Sequence, residues 1–341
     1  MLEPRLPTGR AAPRGVFAMP IDGGEGGAAG EIDVRPAELG QSGGFQPLVV
    51  VHGGAGAPMT WLDGCTHAAE AGAAVLKNGL DALSAAIASV IALEADGRFN
   101  AGLGASLKLD GDAVEMDAAV MDSTGRLGAV AALQDVRHPV LAARAVADTA
   151  HWLLVGDGAR EFAARCSLTG NHEPSARARE RYAEVVSELA RFWCESPDAD
   201  LPLRRFWNYA LPWDEALKKW GCGTVGAVVR DATGQLAVAT STGGAVPALR
   251  GRVGDTPIIG SGFYAGPRAA VAVTGAGEQI VRTLLANTVY RWIETGLPPA
   301  DALKQGLALF PPDVDIGIIA VSERESAGLS SRGMPWCQAA V

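Results

Sequence analysis

Gly223-Thr-Val-Gly-Ala-Val-Val-Arg-Asp-Ala-Thr-Gly-Gln-Leu-Ala-Val-Ala-Thr-Ser-Thr-Gly-Gly244 consists of two apolar runs joined by a short polar, glycine-bearing turn. Val225 to Arg230 and Leu236 to Thr242 have the composition of paired strands. The loop Ala232-Thr233-Gly234, with glycine in the left-handed position, suits a three-residue bulged hairpin. Facing residues then keep a constant index sum of 466, which sets Thr224 opposite Thr242. Directly opposed side chains have Cβ atoms about 4.5–5.5 Å apart. Thr242 runs straight into Gly243-Gly244, so a threonine pair beside a glycine shelf is expected at one end of a sheet. Threonine pairs across strands are ordinary packing, so this geometry alone does not identify a site.

Upstream of the hairpin, Pro47 to Val51 is an apolar run entering the tight loop His52-Gly-Gly-Ala-Gly56. Periodicity predicts helices over about Trp61–Leu76 and Asp81–Glu94, then a glycine-rich loop Gly97–Gly104. Strand-like segments follow at Ser106–Leu109, Val114–Met121 and Gly128–Leu133, a helix near Val140–Thr149, a short strand at Trp152–Val155 and a helix from Gly158. Downstream, strands are expected at Ile258–Gly260, Ala269–Thr274 and Ile316–Ser322, with helices over 278–294 and 299–309. Blocks of strands alternating with helix pairs imply a layered α+β domain rather than βαβ winding. Residues 1–45 are rich in Gly, Pro, Ala and charge and read as a flexible leader. Residues 166–223 form a charged connector, with one helix near 177–191 and tryptophans at 193, 207, 213 and 220.

Composition removes several classes of function. A net charge of −9 and a basic stripe nowhere in the chain argue against a nucleic-acid partner. No apolar run is long enough for a membrane span, and the first residues lack the apolar core of a signal peptide. Five cysteines, odd in number and without CxxC spacing, imply reduced thiols, no structural zinc and a cytoplasmic location. Five histidines offer no Ser-His-Asp constellation, and His52-Gly-Gly has no G-x-S-x-G elbow to accompany it, so His52 is expected to be structural. The Gly-x-Gly patterns at 102–104, 260–262 and 275–277 are not complete phosphate-binding fingerprints.

The glycine and threonine motifs gain meaning from their order. Gly223-Thr-Val-Gly-Ala-Val228, Thr240-Ser-Thr-Gly-Gly244, Gly251-Arg-Val-Gly-Asp255 with Gly260-Ser-Gly262, and Thr274-Gly-Ala-Gly-Glu278 follow one another closely. Before them stand His52-Gly-Gly-Ala-Gly56, Phe99-Asn-Ala-Gly-Leu-Gly104 and Met116-Asp-Ala-Ala-Val-Met-Asp122, and after them Ser331-Arg-Gly-Met-Pro-Trp336. Over about residues 47–336, the connector excepted, the chain resembles the plant-type L-asparaginase/isoaspartyl peptidase family of N-terminal-nucleophile hydrolases.

The resemblance implies a four-layer αββα sandwich and a precursor that cleaves itself between Gly223 and Thr224. Residues 46–223 would be the α-subunit and 224–341 the β-subunit, assembled as a dimer of processed αβ units. Thr224 would be the nucleophile, with its freed α-amino group as base, since that group has a reference pKa of about 7.7–8.0. By the same resemblance Thr242 tunes the nucleophile, Thr274 and Gly275 stabilise the oxyanion, and Asn100 supports the nucleophile. Arg252 and Asp255 would hold a substrate's α-carboxylate and α-amine, with Gly244 and Gly277 lining the pocket. Catalysis would need no cofactor. The loop containing Leu93, Glu94, Asp96, Phe99, Ala101 and Leu103 resembles one whose backbone carbonyls hold a structural sodium ion. The implied substrates are β-aspartyl dipeptides or L-asparagine, with glycosylasparaginase activity or a non-catalytic binding scaffold as alternatives. Cys222 replaces the acidic or histidine-containing approach usual before the threonine, and Ala276 a residue often polar in members.

Overall fold

The computed structural model describes residues 33–36, 45–170, 172–195, 223–246 and 248–341. Among the described residues, twelve strands build two sheets. The larger takes β12 (Trp336–Ala340), β2 (Leu48–His52), β6 (Val225–Arg230), β7 (Leu236–Thr242), β3 (Met116–Asp122), β4 (Leu127–Leu133) and β5 (Leu153–Val155), in that spatial order. The smaller takes β1 (Asp33–Pro36), β11 (Glu325–Ser330), β10 (Ile316–Ser322), β9 (Ala269–Gly275) and β8 (Phe263–Ala265). All neighbouring pairs are antiparallel except β4 with β5.

Strand alternation sorts side chains into three apolar layers. Leu48, Val50, Val228 and Val238 of the larger sheet meet Phe263, Ala270, Ala272, Ile319 and Val321 of the smaller between the sheets. Val49, Val51, Val225, Ala227 and Val229 point the other way, against helices α1 (Leu62–Lys77), α2 (Ala82–Asp96), α3 (Pro139–Val146) and α4 (Gly156–Arg165). On the far side of the smaller sheet, Val271, Val273, Ile316 and Ile318 pack on two further helices. The chain is thus a four-layer αββα sandwich, in which the central strands β2, β6, β7, β9 and β10 are buried on both faces. Helix α5 (Ala176–Glu195) forms in the connector, and the last three helices are α6 (Gly277–Thr283), α7 (Leu285–Glu294) and α8 (Pro299–Leu307).

Local signals account for many of the boundaries. Asp81 caps α2 by accepting from Ser84 N at 2.8 Å, and Gly97 ends it in the left-handed conformation. The hairpin of β6 and β7 pairs Val225 with Ser241 through Arg230 with Leu236, the register expected from its turn. Gly234 sits at φ +84°, and the Asp231 carboxylate accepts from the N–H groups of Thr233 and Gln235, closing the loop.

Four local expectations are corrected. Residues 278–294 are not one helix, because Leu284 breaks it at φ +46°. The freed N–H groups of Ala286 and Asn287 donate instead to the carbonyls of Ser261 and Gly260, at 3.1 and 2.8 Å. The stretch Ile258–Gly260 is loop, tied by turns, and the strand begins at Phe263. Ser106–Leu109 makes only an isolated bridge, Leu107 with Val114. Within the stretch read as leader, Asp33–Pro36 pairs with Glu325–Gly328 as an edge strand. The remainder of 1–44, Cys222 and the tryptophans at 207, 213 and 220 lie outside the described residues.

Candidate active site

Thr224 precedes β6 at the end of the hairpin remote from its turn and is 3% exposed. Its Oγ1 lies 2.9 Å from the Oγ1 of Thr256, and its backbone N–H donates to Thr274 Oγ1 at 3.2 Å. The same Thr274 oxygen accepts from Ala55 N at 3.3 Å, so the loop after β2 and the end of β9 meet at the Gly223–Thr224 peptide. A Cβ on Gly54 would fall 2.9 Å from the Gly223 Cα, which shows how closely that loop lies against the peptide. Gly275 follows Thr274 at φ +137°, pressed against the Asp315 carbonyl across the sheet.

Thr242 holds the glycine shelf. Its Oγ1 accepts from Gly244 N at 3.0 Å, while Asn100 grips the same turn from the other side. The Asn100 carbonyl accepts from Gly243 N at 2.8 Å, and its Nδ2 donates to the Gly244 carbonyl at 2.6 Å. The Asn100 Oδ1 is itself fixed by the N–H and hydroxyl of Ser106, at 3.0 and 2.9 Å. Asn100 therefore fixes the turn beside Thr224 through its side-chain amide and its backbone carbonyl.

The charged half of the site begins one residue before Thr256. Asp255 is 3% exposed, and its Oδ2 has no hydrogen-bond partner. Burial pushes its carboxyl up to about 7, against the opposing pull of Arg252. Arg252 presents its Nε and Nη2 to Glu278 Oε1 and Oε2 at 2.9 and 2.8 Å, a bidentate pair. A Cβ on Gly277 would lie 2.9 Å from Asp255 Oδ1 and 3.0 Å from Arg252 Nη2, so a larger residue there would crowd both charges.

The structure thus brings Thr224, Thr242, Thr274, Gly275, Asn100, Arg252, Asp255, Gly244 and Gly277 to one end of the sandwich. Thr256 and Glu278 also belong there, although sequence reasoning assigned neither. Thr256 directly follows Asp255, and Glu278 closes the quoted Thr274–Glu278 motif, so both stood beside recognised residues. His52 lies apart, buried between the sheets and held neutral, its pKa lowered to about 3 by burial.

The loop after α2 runs past the same region. The Glu94 carboxylate is committed to His138 Nδ1 and Val140 N, each at 3.1 Å, and the Asp96 carboxylate to Arg98. Neither acid is therefore available as a side-chain ligand. The carbonyls of Glu94 and Phe99 crowd Gly102 and Gly104, so backbone oxygens are the donors this loop offers a hard cation. Among the described residues, no cluster of three or more His, Cys, Asp or Glu could hold a metal ion.

A layered αββα fold that gathers a buried threonine, neighbouring hydroxyls and the side chains of Arg252 and Asp255 at one end is that of an amidohydrolase. The chain belongs to the asparaginase family, whose model matches residues 45–340. It is 37% identical over 305 residues to an isoaspartyl peptidase of Salmonella typhimurium, covering 84% of this chain and 93% of the relative. It is 37% identical over 306 residues to an isoaspartyl peptidase/L-asparaginase of Danio rerio, covering 86% and 92%. It is 35% identical over 311 residues to an isoaspartyl peptidase/L-asparaginase of Homo sapiens, covering 86% and 94%.

Proposed function

We propose that the chain cleaves itself between Gly223 and Thr224 and then hydrolyses β-aspartyl amides through an ester on Thr224. The observation that carries this is the unpartnered Asp255 Oδ2 beside Arg252, one residue from the hydroxyl that touches Thr224. An ammonium suits Asp255 and a carboxylate suits Arg252, and an aspartyl group carries both on one carbon. In self-cleavage the Thr224 hydroxyl attacks the Gly223 carbonyl carbon. The C–N bond breaks as the nitrogen takes a proton, leaving an ester that water hydrolyses to the Gly223 carboxylate.

Turnover repeats that chemistry on substrate. The freed α-amine of Thr224 removes the hydroxyl proton, the side-chain amide carbon of the aspartyl group is attacked, and the proton passes to the departing amine. Thr274 with Gly275 supplies polarity at the developing oxyanion, a role that in other hydrolases contributes about 3–4 kcal/mol per donor. Thr242 and Asn100 keep the Gly243–Gly244 turn in place beside the nucleophile. Water then releases aspartate from the ester. No step calls on a cofactor. A sodium ion held by the carbonyls of Leu93, Glu94, Asp96, Phe99, Ala101 and Leu103 would stiffen the loop carrying Asn100.

Substrates are isoaspartyl dipeptides, with L-asparagine as the smaller member of the same class, and the relatives named for those activities support this choice. Two processed αβ units form the working dimer. Cytoplasmic residence is supported by Cys65, Cys166 and Cys337, all free thiols, and no described helix is long and apolar enough to cross a membrane. Denaturing electrophoresis tests the central claim: two fragments replace the 35.1 kDa band, and Thr224→Ala restores it. An intact wild-type chain without β-aspartyl hydrolysis would leave a binding scaffold. Faster cleavage of glycosylated asparagine than of isoaspartyl dipeptide would make the protein a glycosylasparaginase.

A further inference from the structure

Lys108 is the one buried lysine among the described residues, at 1% exposure, and its Nζ has no hydrogen-bond partner. An unpaired ammonium so far from water is costly, and burial pulls its pKa down. The neighbouring carboxylates do not resolve the cost. Asp117 accepts from Ala132 N at 2.8 Å, and Glu115 accepts from Gly251 N and Gln134 Nε2 at 2.7 and 3.3 Å. Both lie close enough to favour the charged amine without hydrogen-bonding to it. The lysine backbone is pinned, its N–H donating to the Ala113 carbonyl at 2.8 Å and its carbonyl accepting from Gly111 N at 2.9 Å.

The position of Nζ is specific. A Cβ placed on Gly244 would lie 2.9 Å from Lys108 Nζ and 3.9 Å from Arg252 Nη1. Two cationic nitrogens thus face the same space in front of the glycine shelf. Glu278 already occupies the Nε and Nη2 edge of Arg252. A substrate carboxylate approaching on the Gly244 side meets Arg252 at Nη1 rather than along the Nε–Nη2 edge that Glu278 holds.

We propose that Lys108 is a substrate-binding residue that completes the α-carboxylate subsite together with Arg252. The site thereby selects β-aspartyl compounds with a free α-carboxylate over those in which it is amidated. This rests on the hydrolase function proposed above. The carboxylate takes a charge-assisted bond from Lys108 Nζ and another from Arg252, while the substrate ammonium pairs with Asp255. Lys108 and Asp255, opposite charges each with an unpartnered atom, are satisfied by one zwitterion.

Steady-state kinetics on a β-aspartyl dipeptide and its α-carboxamide twin test this, alongside calorimetric titration with free L-aspartate. Lys108→Met is expected to raise KM for the carboxylate substrate by about thirtyfold, with kcat within about twofold, as befits loss of one charged contact. KM for the carboxamide should stay unchanged and aspartate affinity should fall in parallel. Lys108→Arg should recover part of the carboxylate preference. Unaltered KM and aspartate affinity in a processed Lys108→Met protein would overturn the assignment and leave the hydrolase function intact. If wild type hydrolyses no β-aspartyl bond, that function fails instead, and aspartate titration alone then decides Lys108. Weaker binding in Lys108→Met would support the assignment; equal binding, or none to wild type, would overturn it. Should Lys108→Met not fold, as judged by its failure to split, Lys108→Arg carries the same comparison. An equal shift for carboxylate and carboxamide would then overturn the proposal.

Discussion

The two halves of the site are built on different terms. At the start of β6, Thr224, Thr242, Thr256 and Thr274 form a neutral set in which every hydroxyl oxygen has a protein partner. Beside it, half-buried Arg252 and Glu278 and buried Asp255 and Lys108 form a charged set with atoms left over: Asp255 Oδ2 and Lys108 Nζ have no partner. The hydroxyl half is complete without a ligand, whereas the charged half is not. On the proposed function, chemistry is preorganised by the strands, and recognition is held in a costly state that a zwitterion relieves.

The largest effect should come from breaking the charged half at its centre. Asp255→Asn removes the partner of the substrate ammonium, and kcat/KM for a β-aspartyl dipeptide should fall about a thousandfold. Stability should move the other way. An unfolded carboxyl has a pKa of about 3.9, and burial raises that of Asp255 to about 7. The folded chain therefore binds this proton more tightly, and stability is lost as pH rises from about 4 through about 7. Thermal unfolding at pH 8 should show Asp255→Asn melting several degrees above wild type. Binding of free L-aspartate should strengthen as pH rises through about 7 in wild type, while Asp255→Asn should have no such limb. A variant that loses both activity and stability would mean the carboxylate is a structural tie.

Glu278 sharpens the comparison, because its carboxylate holds the Nε and Nη2 edge of Arg252 within the charged half. Glu278→Gln keeps the shape and removes the charge. KM for the dipeptide should rise about tenfold with kcat nearly constant, since Arg252 is then held less firmly. A fall in KM would identify Glu278 as a competitor that substrate must displace.

How much of this was legible in the chain follows the range of the forces involved. The β6–β7 register could be read because its turn chemistry is local: Asp231, Thr233 and Gly234 decide it within five residues. The apolar runs around Val49, Val228 and Val271 likewise marked strands, while the layer each side chain enters is set by the packing of the two sheets. The break at Leu284 could not be read, because helix propensity continues through it and the capture comes from carbonyls of Gly260 and Ser261. Lys108 gave no signal for a similar reason. A lysine in a short apolar stretch usually points to water, and only the approach of Gly244 and Arg252 in space makes this one a buried charge. Thr256 was hidden by its neighbour, since the Arg–Asp motif was read as ending at Asp255.

The smallest expected effect tests whether the hydroxyl half is as complete as its hydrogen bonds imply. Thr256→Val is nearly isosteric and removes only the oxygen 2.9 Å from Thr224 Oγ1. A neutral hydrogen bond of this kind is worth about 1 kcal/mol, so kcat should fall about fivefold while KM for the dipeptide stays near its wild-type value. Thr256→Ser restores an oxygen at the same place and should recover most of that loss, which a packing role for the methyl group would not permit. Band intensities on a denaturing gel over time give the second readout. If Thr256 orients the Thr224 hydroxyl in the precursor too, self-cleavage should slow by a similar factor. A drop in turnover with unchanged self-cleavage would place its action after Gly223 has left. A rise in KM instead would draw Thr256 into the charged half, through the adjoining Asp255.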